Sequence, residues 1–140
     1  YRPGTLKAVA LDNDGKPARS KEVRTAGPPA RLELTPDRTD LRADGRDLAF
    51  VTVRILDRDG TLCPHANHRI RFRINGPADI AAVDNGDPTS LEPFQANHRK
   101  AFHGLALLVL RTRQDQQGPV TVHANADTLR KTTLTLNTTM

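Results

Sequence analysis

Five histidines, three glutamates, one cysteine and two aspartate-rich turns are the side chains of this 140-residue chain that could do chemistry. Asp12-Asn13-Asp14-Gly15 and Asp57-Arg58-Asp59-Gly60 resemble the opening of a calcium loop. Such a loop closes with a bidentate carboxylate at its twelfth position, and that count lands on Val23 and His68. Both segments therefore read as hairpin turns. His65 and His68 stand three apart, with His98, His103 and His123 further on. Zinc needs three or four converging ligands, and Pro64 and Asn67 put the closest pair in a loop rather than on one helix face. Exposed histidines and no metal are expected. Cys63 precedes Pro64, with only His65 nearby as a base. A nucleophilic thiolate needs an activating, electropositive setting, so Cys63 reads as a small packing residue. A lone cysteine makes no internal disulfide and does not fix the redox compartment. Acid–base hydrolysis by paired carboxyl groups would need two of Glu22, Glu33 and Glu92 to face each other across a cleft. Glu22 and Glu33 fall on separate strand-like segments, so independent catalysis and a cofactor are not expected.

The most specified stretch runs from Val83 to Gly104. It lacks strand periodicity well beyond the roughly 12–15 residues above which a connection is functional or disordered. Two of the four Phe, Phe94 and Phe102, lie in it, so it reads as packed, with both rings plugging it onto the sandwich edge or an adjoining domain. Asn85-Gly86 reads as a two-residue hairpin turn and Asp87-Pro88 as the start of another. Glu92, near Asp84 and Asp87, is expected to cap a backbone amide or to pair with Arg99 or Lys100. Those two cations could reach carboxylates or sugar hydroxyls, and a surface ion pair is the expected state. Asp84, Asn85, Asp87, Glu92, Phe94, Arg99 and Phe102 are thus candidate residues of a contact surface, toward a neighbouring domain or the rim of a cleft.

Gly and Pro punctuate the chain, and the segments between them are rich in Val, Ile, Leu and Thr with alternating polarity. Thr5–Leu11 and Ser20–Thr25 read as a hairpin turning at Asp12–Gly15. A two-stranded hairpin is marginal alone, so residues 1–27 are expected to be terminal strands of a preceding domain. Ala26-Gly27-Pro28-Pro29 is a stiff break, and 28–140 is the main domain. Within it, Ala30–Thr35, Leu48–Leu56, Arg69–Ile74, Ile80–Val83, Leu105–Leu110, Val120–Ala124 and Thr132–Leu136 are strand-like. Ile70, Phe72 and Ile74 alternate with Arg69, Arg71 and Arg73, a half-buried strand with a basic outer row. About seven strands in roughly 110 residues predict an all-β, immunoglobulin-like sandwich.

A net charge of +5 raises the possibility of nucleic acid, yet Asp is interspersed with Lys and Arg along the whole chain. One Tyr, four Phe and no Trp leave few platforms for stacking bases, so nucleic acid is not an expected partner. No apolar run reaches the ~20 residues of a membrane span, and none is expected. Tyr1 at the start, followed at once by a strand pattern, suggests an excerpt of a longer protein.

The Val83–Gly104 stretch and its flanks resemble the C-terminal immunoglobulin-like domain of glycoside hydrolase family 2 enzymes of the β-galactosidase type. The resemblance rests on Leu34-Thr-Pro-Asp-Arg38, Ala43-Asp-Gly45, Val83-Asp-Asn-Gly-Asp-Pro88, Glu92-Pro-Phe94, and Arg99-Lys-Ala-Phe102 with Gly104. Tyr1 to Ala10 and Val23 to Pro28 resemble the last strands of the preceding domain in such enzymes. The resemblance implies a non-catalytic accessory role in structure and interdomain packing. In that family the two catalytic glutamates sit on an upstream barrel, and the parent is a retaining β-galactosidase, periplasmic or secreted. Other domains of the parent are the implied partners. A carbohydrate-binding module is the alternative, weakened by the lack of Trp; an invasin-like adhesion module shares the Ala-Asp-Gly element.

Overall fold

The computed structural model describes residues 2–140; Tyr1, the only tyrosine, lies outside them. Among the described residues eleven strands form: β1 (Thr5–Leu11), β2 (Pro17–Arg24), β3 (Arg31–Pro36), β4 (Asp40–Arg42), β5 (Leu48–Leu56), β6 (Arg69–Asn75), β7 (Ala78–Asp84), β8 (His98–Lys100), β9 (Leu105–Thr112), β10 (Gly118–Asn125) and β11 (Thr132–Thr139). Among the described residues no helix is long and apolar enough to cross a membrane.

β1 and β2 pair only with each other. The other nine strands make two sheets, one ordered β4-β11-β10-β6-β8 and the other β3-β5-β9-β7. Seven of these strands are the ones the alternation predicts; β4 and β8, three residues each, are additions. All pairings are antiparallel except β11 with β4.

Alternation decides which sheet face is buried. In β5, Ala49, Val51, Val53 and Ile55 point into the core while Phe50 and Thr52 stay exposed. β6 buries Ile70 and Phe72 and turns Arg69, Arg71 and Arg73 outward. β9 lies between β5 and β7 and sends Ala106, Leu108 and Leu110 inward. With Val120, Val122 and Leu136 these form one core between the sheets. Each fully buried aliphatic side chain adds about 1.5–3 kcal/mol of transfer free energy, and β-branched residues suit the pleat. A bulge between Ile80 and Ala82 shifts β7 against β9 just before the long connection begins.

The turn at Asp12–Gly15 forms as expected, with the Asp12 amide donating to the Lys16 carbonyl at 2.8 Å. The Asp57–Gly60 turn also forms and does more. Asp57 is buried, and its carboxylate accepts from the Gly27 amide at 2.8 Å and from the Asp59 and Thr61 amides at 2.9 and 2.8 Å. It anchors the Gly-Pro-Pro break to the sandwich. These donors, the Gly27 amide first, hold the Asp57 carboxyl below the usual carboxylate range.

Candidate functional site

β8 pairs with β6 so that Arg99 sits opposite Ile70, on the core-facing side. A charge there needs close polar partners, and Asp84 at the end of β7 with the loop that follows supplies them, although Nε keeps no hydrogen bond. The Arg99 side chain is 1% exposed. One terminal nitrogen donates to the Glu92 carbonyl at 2.7 Å; the other donates to Asn85 Oδ1 at 3.0 Å and lies 3.5 Å from Asp84 Oδ1. Glu92 Oε2 stands 4.0 Å from Nε. The Phe94 ring covers the guanidinium, its centroid 5.1 Å from Cζ, a cation–π arrangement.

The same residues fasten the loop to itself. Asn85 Nδ2 donates to the Lys100 carbonyl at 2.9 Å, the Lys100 amide to Glu92 Oε2 at 3.1 Å, and the Val83 amide to the Phe94 carbonyl at 2.7 Å. Asp84 Oδ1 accepts from the Asn85 amide at 2.6 Å, and Asn85 Oδ1 from the Asp87 amide at 3.0 Å. Asp87 in turn accepts from the hydroxyl and amide of Thr89, at 2.7 and 2.9 Å. The Thr89 hydroxyl is the main reason its carboxyl is held below the usual range. Outside this framework, Leu91 is 99% exposed and Phe94 58% exposed. An open groove of about 770 Å³ runs beside it, lined by Asn85, Asp87, Glu92, His98, Lys100 and Phe102 among others.

Several expectations change here. Arg99 is no surface ion pair; it is the buried hub of the loop. Phe94 lies over the guanidinium of Arg99, on the edge strand β8, and is 58% exposed. Phe102 is half-buried, its ring edge-on to His103 with centroids 4.1 Å apart. Asn85-Gly86 does not join two paired strands, since β7 pairs with β9 rather than with β8. The two-residue hairpin turn is His103-Gly104 instead. Phe102 and Leu105 exchange backbone hydrogen bonds at 2.8 and 3.0 Å around it, and both turn residues have positive φ, 51° and 77°. Reasoning from sequence missed this turn, because His103 hides the Xaa-Gly signal that Asn85-Gly86 shows openly. It also missed the bond from Asp57 to Gly27, which joins residues thirty apart.

The remaining candidates stay apart. Glu22 pairs with Arg24 on β2, Glu33 with Arg31 and Arg54 by β3, and Glu92 with Arg69 and Arg99. Each of the three glutamates thus lies on a different element and pairs with arginine there. Among the described residues no group of three or more His, Cys, Asp or Glu is placed to hold a metal. Cys63 is buried with Sγ 3.6 Å from the Gly27 carbonyl. Burial pushes its thiol pKa up, away from nucleophilic use.

A loop of this build on a sandwich of this order has close counterparts. A family model described as glycoside hydrolase family 2 C-terminal domain 5 matches residues 32–135. The chain belongs to that family. This family 2 C-terminal domain is 44% identical over 137 residues to the β-galactosidase BoGH2A of Bacteroides ovatus, across 98% of this chain and 16% of that protein. A β-glucuronidase of Formosa agariphila is 30% identical over 142 residues, across 97% of this chain and 14% of that one. Among solved structures, a family 2 glycosyl hydrolase from Bacteroides cellulosilyticus superposes with a TM-score of 0.95 at 34% identity, covering all of this chain and 18% of that one. The family 2 C-terminal domain therefore spans only about a sixth of the length of these relatives. The family resemblance and the all-β sandwich expected from the sequence are both borne out.

Proposed function

We propose that this family 2 C-terminal domain is a non-catalytic accessory module of a longer glycosidase of the β-galactosidase type, packing on neighbouring domains through its Asp84–Phe102 loop. The observation that carries this reading is the pairing of a rigid loop, fixed on buried Arg99, with large apolar side chains displayed at its tip. Apolar surface held in place by a costly polar hub marks a contact site. Residues 1–27 are proposed to complete a preceding domain, with 28–140 as the sandwich. Every described residue of β1 and β2 is exposed, including Leu6, Leu11 and Val23, as expected of strands whose sheet continues elsewhere. On the family resemblance the parent is proposed to be periplasmic or secreted, which cell fractionation tests.

The test compares the longer enzyme with its Leu91→Asp, Phe94→Asp variant, and assays the 140-residue chain on an aryl β-galactoside. The accessory reading expects no hydrolysis by the chain alone. It expects the double variant to lower the melting temperature of the longer enzyme by clearly more than that of the chain alone, where the change removes only the ring over Arg99. Hydrolysis by the chain, or equal melting of both long enzymes, overturns it.

A further inference from the structure

The packing role leaves the outer face of the five-stranded sheet unused. Register places Arg69, Arg71, Arg73 and Asn75 of β6 on that face, beside Lys100 and His98 of β8, which pair with Arg69 and Arg71. On the other side Asn125, His123 and Thr121 of β10 pair with Arg71, Arg73 and Asn75. Thr133, Thr135 and Asn137 of β11 continue the row beyond β10. Same-face residues along a strand recur about every 7 Å, so β6 presents a regular cationic ladder flanked by amide and hydroxyl groups. Arg69 and Arg71 lean on Glu92 and Asp127 at 3.7 and 3.3 Å and remain 45% and 57% exposed. Arg73 and Lys100 have no ion-pair partner among the described residues. Arg69, His98 and Lys100 also line the open groove beside the long loop, so ladder and groove form one continuous track.

We infer that this track binds an acidic polysaccharide, its uronate carboxylates on Arg69, Arg71, Arg73 and Lys100 and its hydroxyls on the neighbouring Asn and Thr side chains. The inference rests on the reading of the chain as a module of a glycosidase, and it names the class of chain that module would hold. Charge complementarity selects an anionic partner. The rest of the face selects among anions. Besides Pro119, no apolar side chain points outward from these registers, so the face lacks the apolar centre that a protein interface is built around. Apart from Phe102 in the groove, the track also lacks the aromatic platforms on which nucleic-acid bases stack. A sheet face rich in donors and acceptors suits hydroxyls, and guanidinium forks suit carboxylates.

The test is titration of the 140-residue chain with polygalacturonate at low and at physiological salt, alongside neutral galactomannan, dextran sulfate and single-stranded oligothymidine. Binding to polygalacturonate that weakens with salt, and that exceeds binding to the other three, is expected. Arg73→Ala with Lys100→Ala should weaken it about tenfold, while Arg111→Ala, on the opposite sheet, should change it less than about twofold. Both variants remove only exposed cations, so melting of each should match the native chain. Failure to bind polygalacturonate, equal binding to galactomannan, dextran sulfate or oligothymidine, or equal loss in Arg111→Ala overturns the inference. None of these readings depends on hydrolysis or on Leu91 and Phe94, so the packing role stands or falls separately.

Discussion

Arg99 occupies a strand position whose register partner is a fully buried isoleucine, and four residues, Asp84 at the end of β7 and Asn85, Glu92 and Phe94 of the loop, answer its guanidinium there. Removing the cation would leave Asp84 and Glu92 facing an uncompensated void. Arg99→Ala should therefore cost about 3 kcal/mol, the lower end for a broken buried pair because both carboxylates keep some solvent. Arg99→Lys should recover little of it, since one ammonium cannot reach the Glu92 carbonyl and Asn85 together while lying flat under Phe94. Urea unfolding of the three proteins decides this, and full stability in the lysine variant would count against the hub. Asp57 carries part of the pH dependence, beside Asp44, Asp79 and Asp87. Three amides favour its ionised form in the fold, so its contribution is complete above the unfolded carboxylate value of about 4. It is lost as pH falls through the lower folded value. Asp57→Asn should be less stable at neutral pH and show a shallower acid limb when unfolding is followed from neutral pH to about pH 2.

At the scale of elements, turns set which strands can meet. Gly104 has φ of +77°, and a Cβ there would sit 2.4 Å from the Cys63 carbonyl oxygen, backbone that cannot step aside. Its amide donates to Ala66 and its carbonyl accepts from Ile55, so the turn also joins β9 to the Cys63–Ala66 loop. Gly104→Ala should cost on the order of 1–3 kcal/mol or more from strain alone. Gly86 has a similar φ of +73° but open space around it, so Gly86→Ala should cost only the smaller left-handed penalty of about 1–2 kcal/mol. Thermal melts of the pair measure the difference, and equal losses would mean the contact with Cys63 yields. Leu108, fully buried in the middle of β9, should cost about 2–5 kcal/mol when cut to alanine, by lost transfer energy and the cavity left behind.

The whole molecule divides its stability unevenly. The core lies between the two sheets of β3 to β11 and draws no buried residue from β1 or β2. Deleting residues 1–24 should leave the sandwich's unfolding free energy within about 0.5 kcal/mol, because surface segments without buried contacts contribute little. In hydrogen exchange on the intact chain, amides of β1 and β2 should exchange near the free rate while those of β5, β9 and β10 exchange only on global unfolding. Protection of the hairpin equal to that of β9 would show that it is held by the sandwich.

Strand identity was legible in the chain because period-two alternation answers to one local fact, that successive side chains face opposite sides. Val51, Val53 and Ile55 against Phe50 and Thr52, and Ile70 and Phe72 against the arginines, read the same in sequence and in space. So did the Asp12 and Asp57 turns, whose bonds close within a few residues. Loop chemistry was not legible in this way. The sequence marked Asp84, Asn85, Asp87, Glu92, Phe94, Arg99 and Phe102 as a group, but Arg99 looked like any surface cation. Only the pairing of His98–Lys100 with β6 turned it inward and made the others its partners. The tether from Asp57 to Gly27 and the basic track shared by four strands likewise depend on which distant segments lie side by side. Local alternation fixes which way a side chain points relative to its own strand; what it meets there is decided by strand order and register, which no single segment encodes.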